Sequence, residues 1–153
     1  MNAKIEIQTV PPMHLACITV IGAHTLPEAF GKLMQWASAN GLAAQHPKFL
    51  TIYHDSLKIT PERKVRMSAC LTLTEPVPVS GEINAIAFDP GKCVVGSFEI
   101  PLSEFGQAWT GLFMWMNENN YKKAEGDPFE IYHNNFSEHP EKKCIVDFCI
   151  PIL

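Results

Sequence analysis

No stretch of this 153-residue chain reaches the ~18 consecutive apolar residues that a membrane-spanning helix needs. The first ten residues, Met1 to Val10, alternate like a strand and lack the apolar core of a signal peptide. Charge is sparse as well. Only 18% of residues are charged, with 12 basic against 16 acidic and a net charge of −4. The basic footprint of a nucleic-acid binder is therefore missing. A mildly acidic balance suits cationic partners and ordinary solubility alike. The five cysteines, Cys17, Cys70, Cys93, Cys144 and Cys149, are odd in number and form no CxxC pair. Most sit in apolar runs such as Leu15-Ala16-Cys17-Ile18, which reads as buried, reduced thiols. The expectation is a soluble, cytoplasmic protein with no membrane contact.

Catalytic signatures are equally scarce. The chain has no GxSxG elbow, no Cys–His nucleophile pattern and no glycine-rich phosphate loop. None of the six histidines stands at i, i+4 from another or at zinc-ligand spacing from a cysteine. No metal, no cofactor and no catalytic residue is expected.

What the chain does have is itself, twice. At an offset of 79, Ile52-Tyr53-His54 falls on Ile131-Tyr132-His133, and Leu33 and Trp36 fall on Leu112 and Trp115. Pro61-Glu62 and Lys64 fall on Pro140-Glu141 and Lys143, Pro11 on Pro90, and Cys70 on Cys149. A motif copied at fixed spacing marks a repeated supersecondary unit. Two copies make a duplicated domain, with pseudo-repeats 1–74 and 80–153 inside one domain of 1–153. Glu75 to Gly81, rich in proline, reads as the linker between them.

Each copy reads β-α-β-β with a leading strand. In the first, strands are predicted at Ile5–Val10 and Leu15–Ile21, split by Pro11-Pro12. A helix follows over Pro27–Asn40, with Thr25 and Glu28 as a capping box and Asn40-Gly41 as its stop. Strands at Lys48–His54 and Lys64–Thr74 complete it. The second copy repeats this with a strand to Phe88, then Lys92–Ile100, a helix over Glu104–Glu118 capped by Ser103, and strands Pro128–His133 and Cys144–Ile152. Short polar connections favour antiparallel pairing. The predicted class is α+β: one continuous antiparallel sheet with two helices.

The two copies differ where chemistry can enter. Phe49-Leu50-Thr51-Ile52-Tyr53-His54 aligns with Pro128-Phe129-Glu130-Ile131-Tyr132-His133, so Thr51 has become Glu130. Strand alternation puts Glu130 and Tyr132 on one face. Trp109 and Phe113, one helical turn apart, share another. A carboxylate ringed by aromatics suits a lipophilic cation, through charge, cation–π attraction and apolar area. The plainer alternative is a glutamate on a solvated face, with the aromatics as core.

Phe30-x-x-Leu33-Met34-x-Trp36, Tyr53-His54-Asp55 with Thr60-Pro61-Glu62 and Arg66, and Phe129-Glu130-Ile131-Tyr132-x-Asn134-Asn135 together resemble the GyrI-like effector-binding family. That family includes the DNA gyrase inhibitory protein and ligand domains of AraC- and MerR-type drug-responsive regulators. The resemblance spans the whole chain. It implies the duplicated fold with a central ligand groove, in which lipophilic cations lie against the glutamate matching Glu130. The ligand set it implies is Glu130, Trp109, Phe113, Tyr53, Trp36, Tyr132, Leu33 and Phe148. Ser68 and Cys93 depart from the family pattern, where aspartate and an aromatic are common. No room for a DNA-reading segment is seen. The resemblance therefore implies a stand-alone effector domain that binds no nucleic acid itself and acts through a DNA-binding partner. The alternatives are gyrase inhibition by protein contact, or a small hydrolase with Glu130 as general base.

Overall fold

A computed structural model describes residues 4–56 and 59–153. Met1–Ala3 of the alternating stretch Met1 to Val10 lie outside the described residues, as do Leu57 and Lys58, which fall between the expected strands Lys48–His54 and Lys64–Thr74. The strands are β1 (Lys4–Val10), β2 (Met13–Ile21), β3 (Phe49–Tyr53), β4 (Arg66–Leu73), β5 (Asn84–Phe88), β6 (Gly91–Ile100), β7 (Phe129–Tyr132) and β8 (Cys144–Pro151). The helices are α1 (Leu26–Ala39) and α2 (Phe105–Glu118). The strands pair antiparallel in each unit, so the class is α+β.

The chain forms two compact units. Pro12–Asp89 makes one, with strand order β3-β4-β2-β5 and helix α1. Pro90–Leu153 makes the other, together with the chain up to Pro11; its order is β1-β6-β8-β7, with helix α2. The leading strands are thus exchanged. β1 pairs with β6, from Lys4 opposite Ser97 to Val10 opposite Gly91, while β5 pairs with β2. Pro11-Pro12 allows this, because two residues without a ladder donor free the chain between β1 and β2.

From the helices onward the offset of 79 is kept to the residue. α1 maps onto α2, and each ends in the same hydrogen-bonded cap. Leu42 N–H donates to Ala37 O (2.8 Å) and Tyr121 N–H to Met116 O (3.0 Å). Gly41 (φ 70°) and Asn120 (φ 62°) supply the left-handed residue that this cap requires. The starts differ from expectation. Thr25 donates its hydroxyl backward to Gly22 O (2.6 Å) and caps no helical N–H. Ser103 lies inside a 3-10 turn, so the N-cap of α2 is Glu104, again with no side-chain cap. In both copies that turn occupies the place where a cap would stand.

The leading inner strand slips by one. Ile18 pairs with Ala69, but Gly96 pairs with Phe148, so β2 and β6 correspond at 78 and not at 79. β6 is one residue longer than β2. A one-residue shift exchanges the two faces of a strand.

α1 covers its sheet with Ala29, Leu33 and Ala37, packed on Ala16, Ile18, Ala69 and Leu71. Its equivalent α2 buries Ala108, Trp109, Leu112 and Met116. Full burial of Leu33 or Leu112 stabilises by about 2–3 kcal/mol. Gly96 lets α2 approach β6: a Cβ there would meet the Phe98 ring at 2.7 Å and Leu112 Cδ1 at 3.0 Å.

Candidate functional site

β7 places Glu130 opposite Phe148, so both point to the face that α2 covers. Trp109 and Phe113 come from one face of α2, a turn apart. The Trp109 indole lies parallel to Phe148 (centroids 4.6 Å, planes 2° apart), and Phe113 tilts beside it at 6.0 Å. Phe98 and Phe105 hold the other parts of Phe148, each at 5.1 Å.

Into this aromatic cluster the strand puts a carboxylate that is 1% exposed. Glu130 Oε1 accepts from Trp109 Nε1–H at 2.8 Å, and Oε2 accepts from the Tyr132 hydroxyl at 2.5 Å. Burying a carboxylate without partners costs several kcal/mol; charge-assisted hydrogen bonds offset part of that. The charge is felt nearby. Burial pushes the Cys144 thiol up, and the Glu130 carboxylate adds to the effect. Trp109 is 5% exposed, whereas Phe113 and Tyr132 are half-buried.

The other copy carries different residues at these positions. Thr51 stands for Glu130 and is buried, Phe30 stands for Trp109, and Ala69 stands for Phe148. Phe30 makes an edge-to-face contact with Phe49 at 5.9 Å. One copy has kept a plain core where its twin holds a charged aromatic cluster.

Within the Pro90–Leu153 unit, Glu130, Trp109, Phe113, Tyr132 and Phe148 of the eight residues expected at the site lie together. Leu33 lies at the centre of the core in the Pro12–Asp89 unit, fully buried, and Trp36 packs against the same cluster. Tyr53 ends β3, half-buried. Phe98 and Phe105 were missed, although Phe105 lies one turn before Trp109 and shares its helix stripe.

The two departures from the family pattern have simple accommodations. Ser68 accepts the role of an acid: its hydroxyl bonds His54 Nε2 at 2.7 Å and Thr19 Oγ1 at 3.0 Å. The second copy has Asp147 there, which bonds His133 Nε2 (2.9 Å) and Ser97 Oγ (2.8 Å). Cys93 is buried, and burial pushes its thiol up to about 11. All five cysteines are free thiols. Among the described residues, no three His, Cys, Asp or Glu side chains are arranged to hold a metal, and no helix is long and apolar enough to cross a membrane. A cleft of about 130 Å³ lined by Ala23, His24, Glu62 and Arg63 offers mixed charge and no Phe, Tyr or Trp.

A family model described as the GyrI-like small molecule binding domain matches residues 3–153. DNA gyrase inhibitor 2 of Dickeya dadantii (strain 3937) is 27% identical over 133 residues, covering 84% of this chain and 83% of that protein. The crystal structure of the EcmrR C-terminal domain aligns with a TM-score of 0.80 at 16% identity, over 100% of this chain and 99% of that one. A hydrolase encoded by lin2189 from Listeria innocua aligns at 0.73 with 15% identity, over 98% and 92%. SAV2435 bound to tetraphenylphosphonium aligns at 0.54 with 15% identity, over 98% and 94%. At these identities the three structures speak for the fold.

Proposed function

This chain belongs to the GyrI-like small molecule binding domain family, and from there we propose that it binds lipophilic cations against Glu130. It would serve as a stand-alone effector or drug-sensing domain of the transcription-regulator type. One observation carries the reading: a carboxylate 1% exposed, hydrogen-bonded to Trp109 and Tyr132 among stacked rings. A buried negative charge keeps part of its desolvation cost until a cation arrives, and aromatic faces attract that cation a second time. The fold shared with SAV2435, a tetraphenylphosphonium binder, supports the same ligand class. Any effect on transcription, as in AraC-type regulators, would pass through a separate DNA-binding partner. Five free cysteines favour a cytoplasmic setting.

Isothermal titration with tetraphenylphosphonium, rhodamine and crystal violet tests this, with a neutral triphenylmethane as control. A ligand at 100 times its Kd should add about 2.7 kcal/mol of apparent stability. Glu130→Gln should cost cations about 1–3 kcal/mol and the neutral control little. Equal binding of all four compounds by wild type and variant would sink the proposal.

The relative in Dickeya dadantii favours a second reading, inhibition of DNA gyrase by protein contact. A supercoiling assay with purified gyrase decides it: no inhibition at a large excess of this protein removes it. We read the site as non-catalytic. Glu130 as general base would need a substrate to reach a carboxylate that is 1% exposed and held by Trp109 and Tyr132, despite the hydrolase among the structural neighbours.

A further inference from the structure

We propose that Tyr132 selects among cations, reserving Glu130 for those that carry no N–H. The inference rests on the cation-binding reading above and adds the class of cation. Its basis is how Glu130 is engaged. Trp109 donates to one carboxylate oxygen and Tyr132 to the other, at 2.8 and 2.5 Å. The rings around them, Phe113, Phe148, Phe98 and Phe105, offer no hydrogen-bond acceptor. Tyr132 has an acceptor to keep as long as Glu130 is there.

A primary ammonium brings three donors and a tight hydration shell. To enter, it must lose that shell and share Oε2 with the Tyr132 hydroxyl, while the surrounding phenylalanine rings give its remaining N–H groups no acceptor. A quaternary ammonium or phosphonium spreads its charge over carbon and asks for no acceptor. It gains from the carboxylate's field and from the ring faces while Tyr132 stays in place. Tyr132 is also placed to be exchanged, being half-buried where Trp109 is held in the core. The first copy has Thr51 at the position of Glu130, two residues before the equivalent Tyr53.

The test uses a matched pair of probes, 4-phenylbenzylamine (protonated at pH 7) and its N,N,N-trimethyl derivative. Both are titrated into wild type, Tyr132→Phe and Glu130→Gln. Wild type should prefer the trimethyl compound by about tenfold or more, the size of one charge-assisted hydrogen bond. Tyr132→Phe should tighten the amine by about tenfold and move the trimethyl compound less than about threefold, narrowing the ratio. The ratio is the readout, since a loss of folding or general packing would move both probes together; a thermal melt of each free variant checks the fold. A wild type that binds the amine as tightly as the trimethyl compound overturns the proposal. So does a Tyr132→Phe ratio equal to wild type, even if both cations bind and Glu130→Gln weakens them, in which case cation binding at Glu130 stands without this selectivity. If neither probe binds wild type, or Glu130→Gln weakens neither, the cation reading fails and this inference with it.

Discussion

The indole of Trp109 lies parallel to the ring of Phe148, 4.6 Å away, and from that position donates its N–H to Glu130. Packing and polarity meet in one side chain. Trp109→Phe retains most of the ring contact and removes the donor, leaving a buried carboxylate oxygen with one partner fewer. Urea denaturation should show a loss of about 1–3 kcal/mol. A change within about 0.3 kcal/mol would mean that the indole N–H contributes nothing to stability.

Glu130→Gln is expected to destabilise the empty protein. The carboxylate presents an acceptor to each of two donors, whereas an amide presents one oxygen and one NH₂. The NH₂ can only donate to the Tyr132 oxygen, so the Tyr132 O–H gives up its acceptor and the Trp109 hydrogen bond loses its charge assistance, costing about 1–3 kcal/mol. Tyr132→Phe removes one of the two donors, so adding it to Glu130→Gln should cost less than adding it to wild type. A double-mutant cycle of denaturation free energies measures this, and strict additivity would show that the two side chains are not coupled.

Asp55 provides a pH prediction. The Arg66 guanidinium, then its backbone N–H, hold the Asp55 carboxyl at about 2, below the usual 3.8. A carboxyl depressed in the folded state stabilises the fold above its unfolded pKa and loses that contribution as pH falls through the folded one. Stability from this contact should therefore be full above pH ~4 and fade between about 4 and 2. Asn134 does the same backbone work in the other copy, accepting from Ile145 N–H at 2.8 Å. Asp55→Asn should thus keep the fold and flatten the decline of melting temperature over that window. Parallel declines in both proteins would assign the acid sensitivity elsewhere.

Gly96→Ala tests the close approach of α2 to β6. The added methyl carbon meets the Phe98 ring and Leu112 inside contact distance, so one of them must move. Overpacking of this kind costs about 1–3 kcal/mol. Because Phe98 supports Phe148 and hence Trp109, tryptophan emission should shift as well. Unchanged stability and emission would show that the interface has slack.

Local pattern alone decided much of this protein. The copied Ile-Tyr-His motif set α1 against α2 and β3 against β7 at an offset of 79, and the pairing of Leu50 with Cys70 and of Phe129 with Cys149 keeps that offset. The stripe of Leu33 and Ala37, and of Leu112 and Met116, located both helices to within a residue, since a period of 3.6 leaves few alternatives. The alternation of β7 put Glu130 and Tyr132 on one face, and the mismatch with Thr51 singled Glu130 out. Partners far apart in sequence were another matter. That β1 joins β6, that β2 and β6 correspond at 78, and that Gly96 makes room for Leu112 depend on which strands meet and in what register. Pairing energies of that kind are set by whole sheets and leave no periodic mark on one strand. Likewise Thr25 and Ser103 fitted a capping pattern, yet a 3-10 turn took the place of both caps. Glu130 was legible as a carboxylate near aromatics. Only the packing of α2 on its sheet gave it Trp109 as a donor 21 residues away, and with it a buried charge that has partners.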